Sequence, residues 1–237
     1  MDKIENEINE IINNFSKPKL LWIRVDDVGI YSNNLSKLVN LLVKYDLPVV
    51  YAVIPSKLEQ QTICLISKLK NFVISQHGYS HKNYSLEYQC ELADNREIKK
   101  VITEMKKGKK LLQQTFGNKF YSLLTPPFNK IDIKCAKSLE KEYDCISIFA
   151  NSSTNFKKDF NPNVDIINWH INAFEDKNFI LQQIKKSLIN FDHLGICIHS
   201  EYLTDNSFII LDEIFSFLTK NTKIKTDYEI LKKYLIF

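Results

Sequence analysis

Two pairs of side chains in this sequence could do chemistry together. Asp26-Asp27 closes the apolar run LLWIRV, and His77 and His81 follow the apolar run FVISQ. Two neutral imidazoles and one carboxylate make a three-ligand set that suits zinc and leaves the fourth position to water or substrate. A separation of four puts both imidazoles on the same side of one helical turn, and Gly78 lets the backbone turn tightly beside them. One aspartate can bind the metal while its neighbour serves as general base. Adjacent strand residues point to opposite faces, so both carboxylates reach one site only if the strand bends at its end, and Gly29 would supply that bend. The plainer alternatives are two surface histidines spaced by accident and a turn aspartate.

The elements that must carry these residues alternate along the chain. A short amphipathic helix over 3–15, ended by Pro18, precedes the first strand. Asn34 can cap a helix over 35–45, and Pro48 opens the strand VVYAVI. A helix over 57–70 leads to FVISQ and then to His77. A lysine-rich helix over 94–114, stopped by Gly117, precedes YSLLT, which ends at Thr125-Pro126-Pro127. A helix over 131–142, the strands CISIFA and VDIINWH, a helix over 178–190, the strand LGICIHS and helices over 207–220 and 227–235 complete the pattern. Short, continuous apolar runs suit strands covered on both faces. The expected fold is therefore α/β, a distorted or incomplete parallel (β/α) barrel of about seven strands, in a single domain over 1–237 with 1–18 as a helical extension. Such folds place chemistry at the C-terminal ends of their strands. His77, His81 and His199 lie at or just beyond such ends, and His170 is a fourth candidate.

Composition narrows the classes. Hydrophobic residues make up 44% and charged residues 25%, ordinary for a globular chain long enough to bury a core without disulfides. The net charge of +4 is spread along the sequence, and only two of the basic residues are arginines, Arg24 and Arg96. Nucleic-acid binding, which leans on clustered positive charge and arginine forks, is not expected. Five cysteines, none in a CxxC pair, read as buried free thiols in a reducing compartment. No run reaches the ~18 apolar residues of a membrane span, and the acidic N-terminus lacks a signal-peptide core, which points to the cytoplasm. The oligomeric state is left open.

The order of motifs resembles that of the polysaccharide deacetylases with a NodB-homology domain, carbohydrate esterase family four. Val25-Asp26-Asp27-Val28-Gly29 is similar to that family's first motif, and the resemblance implies that Asp26 is the base and Asp27 a metal ligand. His77-Gly78-Tyr79-Ser80-His81 is similar to its H(S/T)xxH motif. Thr125-Pro126-Pro127-Phe128 corresponds loosely to its third motif, Asp165 and Trp169 to its fourth, and Ile196-Cys197-Ile198-His199 to its fifth. The resemblance spans about residues 20–235 and implies a distorted barrel of about seven strands. Its main departure is Thr125, which stands where the family carries an arginine beside the catalytic aspartate. Residues two apart on a strand share a face. Arg24 can therefore replace that arginine as counter-ion of Asp26, or it can extend to the barrel rim as strand arginines do.

The chemistry implied is hydrolysis of an acetamide on an N-acetylated sugar or surface-polysaccharide precursor. One divalent ion (zinc first, with cobalt or nickel as the other options) is held by Asp27, His77 and His81. Asp26 takes a proton from water, and a backbone N–H near Phe128 helps to stabilise the oxyanion. His199 gives a proton to the departing amine, with Asp165 orienting it. Pro127, Phe128 and Trp169 would contact substrate, although Trp169 could equally pack in the core. Two other readings remain: an amidase acting on a small non-sugar amide or imide, and a catalytically silent carbohydrate-binding relative.

Overall fold

The computed structural model describes residues 3–148 and 158–235. Its strands are β1 (Lys19–Val28), β2 (Val49–Val53), β3 (Phe72–His77), β4 (Phe120–Thr125), β5 (Cys145–Ile146), β6 (Lys158–Asp159), β7 (Val164–Asp165), β8 (Ile167–Asn168), β9 (Ala173–Phe174), β10 (His193–His199) and β11 (Ile224–Lys225). The helices are α1 (Lys3–Asn13), α2 (Asn33–Lys44), α3 (Gln60–Ile66), α4 (Ile98–Phe116), α5 (Ile133–Leu139), α6 (Lys177–Asn190), α7 (Asp205–Thr219) and α8 (Tyr228–Leu235). One sheet runs β6-β5-β4-β3-β2-β1-β10-β7, with β11 beside the start of β1. Seven of its parallel strands curl through 203° and stop short of closure, a half-barrel. The distorted, incomplete barrel expected from the sequence is the fold that forms.

Helix ends depart from expectation by a few residues, where capping decides. Ser32, not Asn34, caps α2 by accepting the Leu35 N–H at 3.0 Å. The stretch read as VDIINWH divides: β7 joins the main sheet, whereas β8 pairs antiparallel with β9. The last residues of the strand read over 145–150 lie outside the described residues. No helix among those described is long and apolar enough to cross a membrane.

Period-two alternation sorts the strand residues into two faces. Leu21, Ile23 and Val25 of β1 join the large core beneath α1, α2, α6 and α7, together with Ile4, Ile8 and Ile12 of α1. The intervening residues face the hollow of the half-barrel, and there polarity changes along the strand. At the start, Leu20 and Trp22 pack with Val50, Val73, Leu123, Cys145 and Phe160, and α8 covers them with Leu231 and Leu235. Gly195 lies opposite Trp22, and a Cβ there would meet the indole at 2.6 Å. Further along, the same face carries Arg24 opposite Cys197 and Asp26 opposite His199. Buried Ser75, His77 and Thr125 belong to the neighbouring strands, and buried Ser147 directly follows β5. The apolar half holds the strands together, and the polar half opens at their C-terminal ends.

Candidate active site

The strand ends converge on a cleft of about 750 Å³ lined by Asp26, Asp27, His77, His81, Phe128, Asp165, Trp169, His199 and Tyr202, among others. The first strand does bend at its end, but the bend sits at Asp27 and not at the expected Gly29. Asp27 has φ +59°, and the β1–β2 register shifts between Val25 and Val28. A bulge of this kind re-aims a side chain, and here it brings consecutive carboxylates to one site.

Asp27 Oδ1 lies 3.0 Å from His77 Nε2 and 2.9 Å from His81 Nε2. The histidine segment is not a helical turn. Gly78 (φ +58°) and His81 (φ +54°) are both left-handed, so the chain loops rather than winds. A spacing of four fits either path, and only the backbone distinguishes them. On its far side the His77 Nδ1 lies 2.8 Å from the Thr125 carbonyl. A carbonyl only accepts, so Nδ1 carries the proton, and in the neutral ring Nε2 presents its lone pair to Asp27. Facing lone pairs on His77 Nε2 and Asp27 Oδ1 repel unless a proton or a metal ion lies between them. Burial works against charge on Asp27, but the two imidazoles hold its carboxyl far below the usual carboxylate range. His77, despite burial, is raised by its bond to Asp27 and by the two carboxylates. The donor set therefore fits a divalent ion of the kind that N and O ligands bind.

Asp26, the second carboxylate, is almost fully buried. Arg24, wholly buried, donates to both its oxygens: Nε to Oδ1 and Nη2 to Oδ2, each at 2.8 Å. The guanidinium also donates to the Ser147 hydroxyl at 3.1 Å and to Asn129 Oδ1 at 3.0 Å. Of the two roles open to Arg24, the structure selects the counter-ion and not the rim. Burial alone would raise the Asp26 carboxyl, but Arg24 outweighs it and holds the group low. Asp26, Cys197 and His199 also gather closely enough to hold an ion. Arg24 already supplies the positive charge there, and burial pushes the Cys197 thiol well up, so it stays protonated.

His199 Nε2 lies 3.7 Å from Asp26 Oδ2. The expected partnership with Asp165 does not form: His199 Nδ1 is buried without a hydrogen-bond partner. Asp165 instead accepts the Trp169 indole N–H at 2.8 Å and the Ile167 N–H at 3.0 Å. Burial pushes the Asp165 carboxyl up, against the pull of Trp169. Trp169 is 45% exposed, so it is not a core residue. Its ring stands edge-on to His199 at 4.7 Å and to Tyr202 at 5.5 Å. Phe128 packs on His81 at 4.4 Å, and Pro127 is buried beneath Gly78. His170 stays exposed on the turn between β8 and β9. Cys64 is exposed, so the expectation that all five thiols are buried holds for the other four.

Three contributors escaped the sequence reading. Tyr202 stands beside Trp169, Asn129 completes the cage around Arg24, and Glu91 grips the histidine loop. Tyr202 and Glu91 sit in no periodic pattern and in no motif, and Asn129, although it directly follows motif residue Phe128, carries no chemical signal of its own.

A sequence model of the polysaccharide deacetylases matches residues 13–143. This chain belongs to the polysaccharide deacetylase family. Among solved structures, the peptidoglycan deacetylase PdaC from Bacillus subtilis is 18% identical, with a TM-score of 0.61 over 91% of this chain and 92% of that one. The Bc1960 peptidoglycan N-acetylglucosamine deacetylase is 19% identical, with a TM-score of 0.61 over 89% and 86%. A family 4 carbohydrate esterase from Streptomyces lividans is 13% identical, with a TM-score of 0.57 over 88% and 90%. No curated protein matches the sequence. At these identities the likeness is one of fold, and the deacetylase chain's own residues must carry any statement about its chemistry.

Proposed function

We propose that this deacetylase-family chain hydrolyses the acetamide of an N-acetylated sugar or surface-polysaccharide precursor, with one divalent metal ion held by Asp27, His77 and His81. The observation that carries the reading is the convergence of those three ligand atoms within 4.8 Å beside an arginine-paired Asp26. A bound divalent ion of this type polarises the amide carbonyl and lowers the pKa of water.

The chain's residues then supply the rest. Asp26, kept ionised by Arg24, takes a proton from the attacking water. The water oxygen bonds to the acetyl carbon, and a backbone N–H near Phe128 would help to stabilise the developing oxyanion. As the C–N bond breaks, His199 gives a proton to the leaving nitrogen, so that acetate and a free amine result. Trp169 and Tyr202 form the wall against which the acetyl group and sugar ring lie. The loss of the family arginine at Thr125 motivates a silent relative, and Arg24 removes that motive. A partly exposed tryptophan on the wall of a wide cleft favours a glycan over a small, enclosed amide.

The test is acetate release from N-acetylglucosamine oligomers by zinc- or cobalt-loaded protein. Wild type should bind about one ion per chain and release acetate, while Asp26→Asn should keep the ion and release none. Loss of the ion in Asp26→Asn would reverse the roles of the two aspartates. A metal-loaded wild type that cleaves small amides but no glycan would select the amidase.

A further inference from the structure

The histidine loop leaves the sheet in a conformation that its own sequence does not favour. Two residues of His77–His81 have positive φ, and the second is a histidine. Left-handed backbone is unfavourable for residues with a side chain and persists only when the surroundings enforce it. Here the enforcing group is Glu91. Its side chain is fully buried. Oε1 accepts the N–H groups of Tyr79 at 3.0 Å and Ser80 at 2.8 Å, and Oε2 accepts that of His81 at 2.9 Å. The Ser80 hydroxyl adds a fourth donor at 3.3 Å.

Space and hydrogen bonding agree. A Cβ on Gly78 would lie 2.2 Å from Glu91 Oε2 and 2.6 Å from Pro127 Cγ. The carboxylate therefore fills the volume that a side chain at Gly78 would take. From the other side, Gln76 Nε2 donates to the Gly78 carbonyl at 2.9 Å, and Gln76 is itself held by the Tyr143 hydroxyl at 2.7 Å. Glu91 is anchored in turn. Arg96 donates to its carbonyl at 3.1 Å, and the next residue, Leu92, forms a parallel bridge with Ile131.

We infer that Glu91 is a positioning residue for the metal site: it replaces a side chain at Gly78 and sets the direction of His81 through the backbone N–H groups of residues 79–81. The inference rests on the metal reading above, but its loop half can be tested without metal. A glutamine at 91 has one acceptor oxygen, so one end of the loop must lose its bond while the volume stays the same. A partner that orients a metal ligand is typically worth 10–100-fold in metal affinity.

The experiment compares wild type, Glu91→Gln, Glu91→Ala, Gly78→Ala and the double variant Gly78→Ala/Glu91→Ala. Each is titrated with zinc against a competing chelator, and each metal-free protein is followed by amide hydrogen exchange. Glu91→Gln should bind zinc 10–100-fold more weakly, with faster exchange at Tyr79, Ser80 and His81 and little change at the β1 amides. Gly78→Ala should be weakened similarly, and removing Glu91 as well should cost less than the product of the two single effects. If Glu91→Gln leaves both the zinc affinity and the three exchange rates unchanged, the inference is wrong. A wild type that takes up no zinc would overturn the metal reading, and the exchange rates would still decide whether Glu91 holds the loop. Global acceleration of exchange in Glu91→Gln would assign the residue to general stability and also overturn the inference.

Discussion

Arg24 and Asp26, two residues apart on one strand, form a two-point ion pair with both N–O distances at 2.8 Å and neither side chain appreciably exposed. Breaking such a pair by removing one partner strands the other charge in the interior and costs about 3–5 kcal/mol. Arg24→Met should therefore lower stability by about that amount and abolish acetate release. Arg24→Lys keeps the charge but not the fork, and should be intermediate. The double variant Arg24→Met/Asp26→Asn should be more stable than Arg24→Met alone. Urea unfolding of the four proteins checks this, and equal midpoints for the single and double variants would contradict it.

Metal should stabilise the fold, by an amount that grows with the logarithm of its concentration above the dissociation constant. At a thousandfold excess over the dissociation constant the gain is about 4 kcal/mol. Zinc should thus raise the thermal midpoint of wild type and leave that of His77→Ala or His81→Ala in place. The pH dependence has opposite signs in the two states. His77 is raised above its ordinary value in the folded, metal-free protein. Its contribution is thus complete below the unfolded value of about 6.5 and is lost as pH rises through the folded one. The increment from zinc grows over the same interval, because protons cease to compete for the imidazoles. Thermal scans with and without chelator from pH 5.5 to 8.5 should diverge. Parallel curves would contradict a shared site for proton and metal.

Trp169 offers a separation of wall from scaffold. Being 45% exposed, it should lose about 1–2 kcal/mol on substitution by alanine, less than the 3–5 typical of a fully buried tryptophan. Steady-state kinetics on an N-acetylglucosamine oligomer should show kcat/KM at least about tenfold lower in Trp169→Ala. Trp169→Phe, which keeps a ring against His199, should fall by much less. Wild-type kcat/KM in the alanine variant would remove the residue from the substrate wall.

His193 lies far from the cleft and gives an independent check on the fold. Burial pushes it down to about 4, and its Nδ1 accepts the Trp22 indole N–H at 3.0 Å. A histidine depressed in the folded state contributes stability above its unfolded value of about 6.5. That contribution is lost progressively as pH falls toward the folded value. The loss should be on the order of 3 kcal/mol between pH 7 and 4, and His193→Gln should flatten that part of the stability profile. Urea unfolding at several pH values reads it directly.

Much of this was legible in the sequence because it follows from period and spacing. The apolar strand runs, the order of the elements and the shared face of Arg24 and Asp26 all derive from alternation along extended backbone. Asp26-Asp27 at a strand end announced two carboxylates at one site. What remained hidden depends on backbone dihedrals and on contacts distant in sequence. The spacing of His77 and His81 is the same in a helix and in a loop. Glu91 is one acidic residue in a polar stretch until the loop folds around it. Asp165 was placed in the cleft correctly but given the wrong partner, because spacing does not say whether a carboxylate meets an indole or an imidazole.

Five non-glycine residues on the cleft wall, Asp27, His81, Phe128, Asn129 and Asn172, have positive φ. His81 and Phe128 each hold roughly 1–2 kcal/mol of torsion there, and the aspartate and the two asparagines, which adopt this conformation more readily, hold less. A gain in heat resistance therefore lies at the cleft, by glycine replacement at Asn172, whereas the same change at Asn129 would take an acceptor from buried Arg24. A variant selected for thermal endurance alone would drift toward a slacker and less competent catalyst.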